Sequence, residues 1–341
     1  MSLIPERILR RPNIHTAFIY LTEKCSLKCA YCYFKKKKDR DNSLKSVESF
    51  LDFLIKYEFF PQKFEISGGE PLLRWENLKA VVQTIEKRFL QKSVSIQTNG
   101  LFLTKDKVRF IKKHRVFLEI GIDGDSATTM QWRKGINSRS FSQLIHNIQH
   151  CVKEGVPVGC NMTVHPKAAG QLVQNFSFLM LLGVSHVDVT PAAFMRWDER
   201  ARTVFKEQYD QLMKLHTGWK RIYMGEDREF IADSLMDISF HPSGHVLCGD
   251  AYLCLPEKQK QKYSLWNHQT ACLRPEVMNF FMGAYRTLRS KLGKRPYTHR
   301  DYVCSSFQIV NELVGGEYLN TNEIIPLMLF LTRTHLKAMR P

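Results

Sequence analysis

The sequence predicts an α/β fold, a partial (β/α)6 TIM-like barrel followed by a small C-terminal α+β domain. Three observations support this prediction. Apolar runs of strand length alternate six times with segments of helical period, this alternation stops near residue 215, and a hairpin pattern follows it. Because strand–helix–strand crossovers are right-handed, six such units curl toward an open barrel. We therefore place the barrel at residues 1–215 and the second domain at residues 216–341.

Each element is predicted from its pattern. Short apolar runs rich in β-branched and aromatic residues predict strands at 15–21, 63–67, 93–98, 116–122, 157–164 and 185–190. Apolar residues that recur every three or four positions predict helices near 44–58, 75–90, 105–113, 140–154, 170–182 and 199–215. In the second domain, residues 237–248 predict a hairpin around a Pro-Ser-Gly turn, and a helix is expected near 322–339.

Composition narrows the class of protein. A chain of 341 residues with 44% hydrophobic content can bury a large core, and it contains neither an apolar run of 18 residues nor a secretory signal. We therefore expect a soluble, cytoplasmic protein with no membrane partner. The net charge of +17 favours an anionic partner, either nucleic acid or an acidic peptide, or else a solubilising surface. The run Lys35–Lys38 is expected to be a solvated loop.

Polar loops follow the first four predicted strands. Three cysteines follow the first strand, "SGGEP" the second, "TNG" the third and "IDGD" the fourth. Each short motif alone is typical of an ordinary turn. Because the carboxyl ends of parallel barrel strands open on one face, we expect the four loops to build one active site.

The cysteine cluster, Cys25, Cys29 and Cys32, is the most informative of these loops. Nine cysteines without an export signal disfavour a disulfide framework. Three thiolates do not complete a structural zinc site, so a catalytic zinc or an iron–sulfur cluster remains. A [4Fe–4S] cluster with three protein ligands leaves one iron open to an exogenous ligand.

The spacing Cys-x3-Cys-x2-Cys, with Tyr31 before the last cysteine and Gly68-Gly69-Glu70-Pro71 downstream, resembles the radical S-adenosylmethionine (SAM) superfamily. The resemblance implies that the three cysteines hold a [4Fe–4S] cluster that binds SAM. It further implies that an electron donor such as flavodoxin or ferredoxin reduces the cluster, and that SAM is cleaved to a 5′-deoxyadenosyl radical that abstracts hydrogen from the substrate.

The same resemblance implies a set of SAM-binding residues. Tyr31 would contact adenine, Gly68 to Pro71 would receive the amino group with Glu70 as acceptor, Arg133 would reach the carboxylate, and Asn161 would contact the ribose. The loop residues Asn99 and Asp123 complete the set. Several maturases of the superfamily have serine two residues before this aspartate, where the present chain has Gly121.

A second cysteine group follows the barrel. The segment around residues 238–267 resembles the SPASM domain, or its shorter relative the Twitch domain, found behind radical SAM peptide maturases. By this resemblance Cys248, Cys254 and Cys272, with or without Cys304, would hold an auxiliary [4Fe–4S] cluster. The alternative is that they are buried small hydrophobic residues, as we expect for Cys151 and Cys160.

The favoured function is therefore a radical SAM enzyme that acts on a side chain or the backbone of a peptide or protein, as in the maturation of ribosomally made peptides. An acidic leader peptide would suit the basic chain. The alternatives are an RNA-modifying radical SAM enzyme, a small-molecule dehydrogenase or mutase, and a metal-bearing binding protein without SAM chemistry. Glu226, Asp237 and Asp250 are candidate acids and bases, and none is selected as catalytic.

Overall fold

The computed structural model describes residues 16–32, 34, 37–192, 195, 197–215, 238–248, 261, 264–269 and 271–274. The strands are β1 (Thr16–Thr22), β2 (Lys28–Cys29), β3 (Lys63–Gly68), β4 (Ser93–Thr98), β5 (Phe117–Gly121), β6 (Arg133–Lys134), β7 (Val158–Val164), β8 (His186–Pro191), β9 (Ile238–Phe240), β10 (His245–Cys248), β11 (Trp266–Asn267) and β12 (Cys272–Leu273). The helices are α1 (Leu44–Lys56), α2 (Trp75–Arg88), α3 (Lys105–Lys113), α4 (Ser126–Trp132), α5 (Ser138–Lys153), α6 (Leu172–Leu181) and α7 (Glu199–Leu215).

Six parallel strands form the centre of the main sheet, in the order β1-β3-β4-β5-β7-β8. Each successive pair is joined through a helix, so the order along the chain is also the order across the sheet. This arrangement confirms the predicted α/β fold with a partial-barrel core. Among the described helices, none combines the length and apolarity that a bilayer crossing requires.

The helices begin where side chains cap them. Ser43 accepts a hydrogen bond from Ser46 N at 3.1 Å, so α1 begins at Leu44, and Asn137 with Ser140 forms a capping box at the start of α5. The short helix α4 was not predicted, although Asp125 caps it by accepting from Thr128 N at 2.8 Å. Two-residue strands such as β2 and β6 carry no periodicity that a sequence pattern could reveal.

The predicted hairpin is confirmed as β9 and β10, but it continues the barrel sheet. Strand β9 pairs in parallel with β1, with Ala17 opposite Ile238 and Ile19 opposite Phe240. The expected boundary at residue 215 coincides with the end of α7, yet the described strands beyond it share one sheet with the barrel. The helix expected near 322–339 lies outside the described residues.

Aromatic side chains join the C-terminal strands to helix α1. Phe240 stacks on Phe50 with ring centroids 4.9 Å apart, and Trp266 stacks on Phe53 at 5.1 Å. Phe50 and Phe240 are completely buried and belong to the same hydrophobic cluster as the barrel core. The C-terminal strands therefore contribute to the stability of the barrel itself.

We expect Phe240→Ala to lower the free energy of unfolding by about 3–5 kcal/mol, because it removes a buried ring and leaves a cavity against Phe50. Leu181→Ala is the control, since Leu181 is 84% exposed and its truncation should change stability by less than about 0.5 kcal/mol. Urea unfolding measures both values. Equal midpoints for the two variants would contradict the packing role of Phe240.

Candidate functional site

The three cysteines lie on one loop between β1 and α1, with half-buried, free thiols. Leu27 N donates to Cys25 Sγ at 3.4 Å, and Cys32 N donates to Cys29 O at 3.1 Å. The three cysteines therefore lie within eight residues of one another on a loop that is held by its own backbone hydrogen bonds.

The glycine loop after β3 packs directly on the cysteine loop. Gly69 N donates to Thr22 O and Glu70 N donates to Lys24 O, both at 2.7 Å. A Cβ atom on Gly69 would lie 2.1 Å from Lys24 O, and one on Gly68, where φ is +143°, would lie 2.4 Å from Thr22 O. The two glycines therefore permit backbone-to-backbone contact between the loops.

Glu70 links neighbouring loops through its carboxylate. Its carboxylate is completely buried and accepts hydrogen bonds from Leu72 N at 2.9 Å, from Thr98 Oγ1 at 2.7 Å and from Asn99 N at 2.7 Å. Burial raises the pKa of this carboxyl, and the three hydrogen bonds oppose the rise. Both oxygens have protein partners, so Glu70 joins the loops after β3 and β4.

The neighbouring residues extend this link to the cysteines. Pro71 is buried and begins a 3-10 turn that leads into α2. Asn99 donates through Nδ2 to Ser26 Oγ at 3.3 Å and accepts from Leu101 N at 3.0 Å. The "TNG" motif thus contacts the cysteine loop directly, as its position after β4 predicts.

Asp123, which follows β5, is the centre of a buried polar network. One carboxylate oxygen accepts from Arg133 Nη2 at 2.8 Å and from Thr163 N at 3.1 Å, and the other accepts from the Tyr31 hydroxyl. The Arg133 guanidinium also lies 5.7 Å from the centre of the Tyr31 ring. Burial raises the pKa of the Tyr31 phenol well above its usual value.

Arg133 connects this network to the cysteines. Its backbone pairs with Cys29 in the β2–β6 ribbon, and its charge counteracts the effect of burial, which raises the pKa of the Cys29 thiol. A Cβ on Gly121 would lie 2.5 Å from Arg133 Nη1, so the guanidinium fills the space left by the missing serine side chain. Arg133 Nε is buried and has no hydrogen-bond partner among the described residues.

Asn161 lies on β7 beside this arginine. Its carbonyl accepts from Arg133 Nη2 at 3.3 Å and from Ile122 N at 3.2 Å. The structure therefore brings Tyr31, Asp123, Arg133 and Asn161 together at the carboxyl ends of the strands.

Of the lysine run, Lys37 and Lys38 lie within the described residues. Lys38 is exposed, but the Lys37 ammonium donates to Leu27 O and so stabilises the cysteine loop.

Phe34 packs against Tyr20 and His241, and Glu23 lies 3.6 Å from the His241 Nε2 atom. The cysteine loop is thus fixed between the barrel and the β9–β10 hairpin.

Of the second cysteine group, only two members lie in described segments. Cys248 pairs with Ile238 at the end of β10, and Cys272 pairs with Asn267 in β12, so β11 separates their strands. Cys254 and Cys304, like Glu226, Asp237 and Asp250, lie outside the described residues. The auxiliary cluster therefore stays a prediction.

The expectation that Cys151 and Cys160 are buried is confirmed, since neither has exposed surface. Burial raises the pKa of the Cys151 thiol to about 12 and that of Cys160 further. These two thiols are therefore structural.

A stacked pair that the sequence did not indicate supports the cysteine loop from the other side. The rings of Trp132 and His165 are 3.5 Å apart and nearly parallel, and Ala30 N donates to Trp132 O at 2.8 Å. His165 Nδ1 accepts from Lys167 N at 3.2 Å, and burial lowers the pKa of His165 to about 4. A neutral imidazole is thus needed for this contact.

Residues 19–171 match the sequence profile of the Radical SAM superfamily. They contain the cysteine loop, the glycine loop and the Asp123 network, and they form a radical SAM domain. The match spans 153 of the 341 residues, and the radical SAM domain within it implies a [4Fe–4S] cluster and SAM.

Particular relatives divide into two groups. The chain is 24% identical over 237 residues to a probable GTP 3′,8-cyclase of Methanococcus maripaludis, covering 64% of this chain and 76% of that protein. It is 29% identical over 162 residues to the Bacillus subtilis antilisterial bacteriocin subtilosin biosynthesis protein AlbA, covering 45% of this chain and 34% of AlbA. The chain spans 65–76% of the length of four probable GTP 3′,8-cyclases of Methanococcus maripaludis, and 59% of an uncharacterised protein of Methanocaldococcus jannaschii.

Among solved structures, the chain is similar in fold to native anSMEcpe with bound AdoMet and Cp18Cys peptide. The TM-score is 0.66 at 16% identity, and the match covers 95% of this chain and 98% of that one. The similarity therefore extends past the radical SAM domain into the C-terminal part of the chain.

We expect Gly69→Ala to reduce the iron bound per chain at least several-fold, because the new Cβ would collide with Lys24 O and displace the cysteine loop. Gly170→Ala is the control, since the nearest atom to its added Cβ is at an ordinary 3.6 Å. Anaerobic iron and sulfide determination after reconstitution measures the effect. Equal iron in the two variants would contradict the proposed dependence.

We expect His165→Asn to reduce the loss of stability at acid pH. The folded state lowers the pKa of His165, so wild type is most stable above the unfolded value of about 6.5 and loses this contribution as pH falls toward 4. Asparagine can accept from Lys167 N without titrating. Between pH 7.5 and pH 5, urea unfolding should give a smaller loss in the variant by about 1–2 kcal/mol, and identical losses would contradict the assignment.

Proposed function

We propose that this chain is a radical SAM enzyme that acts on a peptide or protein. The observation that carries the proposal is the direct bonding of the cysteine loop to the loops after β3, β4 and β5, through Glu70 N, Asn99 Nδ2 and Asp123 respectively. These contacts place the three thiols and the buried guanidinium of Arg133 at one edge of the sheet.

The residues present fit the cluster. Cys25, Cys29 and Cys32 would hold it, since their thiols are free and half-buried and Leu27 N already donates to a sulfur. The Lys37 ammonium fixes the loop between the cysteines from outside.

The residues also fit SAM, because Arg133 Nε is a buried donor that lacks a partner among the described residues. This group would donate to the SAM carboxylate while Arg133 Nη2 keeps its bond to Asp123. The hydrogen bond from the Tyr31 hydroxyl to the same aspartate would hold the Tyr31 ring in place. When bound, the cluster and SAM supply the electron and the carbon radical that remove a hydrogen atom from a substrate.

A peptide substrate is favoured by the relatives. The fold of anSMEcpe, described with a bound peptide, matches nearly the whole chain, and AlbA acts in bacteriocin biosynthesis. The net charge of +17 suits an acidic peptide and an acidic electron donor such as flavodoxin or ferredoxin.

A purine nucleotide is the second candidate substrate, because several sequence relatives are GTP 3′,8-cyclases or probable ones. An RNA substrate would bind through the same positive charge, and its affinity would fall steeply as the salt concentration rises.

The test is anaerobic turnover of the reconstituted chain with SAM and dithionite. We expect 5′-deoxyadenosine to form, and more of it with acidic peptides encoded near the gene than with GTP. Cys25/Cys29/Cys32→Ala should abolish it, whereas Cys151→Ala, which removes a buried structural thiol, should not. Product from the triple variant, or none from wild type carrying about four irons per chain, would overturn the SAM activity. If GTP stimulated the formation of 5′-deoxyadenosine and the peptides did not, the substrate would be a nucleotide and not a peptide.

A further inference from the structure

A second group of metal-ligand side chains lies lower in the barrel sheet, away from the cysteines. Glu119 of β5 and His186 of β8 stand opposite the same residue of β7, Gly159, and Asp188 is two residues further along β8. One ligand atom of each of the three side chains lies within 4.8 Å of the other two.

The absence of a side chain at Gly159 allows Glu119 and His186 to approach each other. A Cβ on Gly159 would lie 2.4 Å from His186 Cε1 and 2.8 Å from Glu119 Oε2. Because β7 presents no side chain there, residues from the two strands on either side of it reach each other. The Glu119 Oε1 and His186 Nε2 atoms are 3.4 Å apart.

The hydrogen bonds of Ser185 fix which imidazole nitrogen carries the proton. Its hydroxyl donates to Val158 O at 2.8 Å, so its lone pair accepts from His186 Nδ1–H at 3.2 Å. In the neutral ring, the Nε2 lone pair then faces the Glu119 carboxylate. A metal-binding histidine is oriented in this way, by a partner on its other nitrogen.

Glu119 supplies an independent indication. The residue is only 7% exposed, and its Oε2 atom is buried with no hydrogen-bond partner among the described residues. A buried carboxylate oxygen without a donor is costly, and a cation between Glu119 and the Nε2 lone pair would satisfy both.

We propose that Glu119, His186 and Asp188 bind one divalent cation of the zinc type. Two carboxylates balance its charge, and an imidazole with carboxylates is a donor set that zinc accepts. The ligand atoms lie within 4.8 Å of one another, so the side chains need to close further to reach ligand distances of about 2.0–2.2 Å.

This site is separate from the cysteine site. Gly121, two residues beyond Glu119 on β5, is covered by the Arg133 guanidinium. The proposal therefore does not depend on the SAM chemistry. The competing explanation is a metal-free ion pair, in which the carboxylates raise the pKa of His186 against the effect of burial and the ring is doubly protonated.

The test uses the full chain with its cysteines occupied by a reconstituted cluster, dialysed against Zn²⁺. We expect one zinc per chain in wild type, and at least tenfold weaker binding in Glu119→Gln and His186→Gln. Glu86→Gln is the matched control, because Glu86 also pairs with a histidine, His114, at 2.7 Å and should leave zinc binding unchanged.

Two further measurements keep the proposal falsifiable if a variant folds poorly. Asp188→Asn, at a half-buried position, should also weaken binding, and zinc should raise the unfolding temperature of wild type and Glu86→Gln but not of this variant. Zinc-edge X-ray absorption should report nitrogen and oxygen ligands. No zinc in wild type, equal zinc in all variants or a sulfur ligand shell would overturn the site and leave the ion pair.

Discussion

The arrangement of the candidate site depends on one buried carboxylate, that of Asp123. It joins Tyr31 of the cysteine loop, Arg133 of the β2–β6 ribbon and Thr163 N of β7. Removing one partner of a buried ion pair costs about 3–5 kcal/mol, because the other charge is left uncompensated. The loop, the ribbon and the strand are therefore held as a unit, and the position of the thiols relative to the sheet follows from it.

The sequence predicts the framework well, because periodicity and position carry the information. The six strand–helix units lie within a few residues of their expected places, and the loops after four strands meet as parallel topology requires. Glu70 illustrates the limit of this reasoning. A polar residue at a strand end is recognised from the sequence, but its hydrogen-bond partner is not, and here the carboxylate bonds to the protein itself.

Other features escape prediction because they arise from contacts between distant segments. Strand β9 joins β1 across more than two hundred residues, and no local pattern specifies that pairing. In the sequence, Gly121 stands where several maturases have a serine. In the folded chain, the Arg133 guanidinium occupies the space that a side chain at this position would fill. Similarly, Lys37 belongs to a run that predicts a solvated loop, and only the folded chain places its ammonium on Leu27 O.

The packing of Phe34 and Glu23 against His241 has a consequence for biosynthesis. At about 5–20 residues per second, a ribosome needs roughly 10–40 s to proceed from the cysteine loop to the β9–β10 hairpin. During that interval the three cysteines have been synthesised, but the β9–β10 hairpin that covers one side of their loop has not. Complete enclosure of the cysteine loop is therefore a late event in the making of this protein.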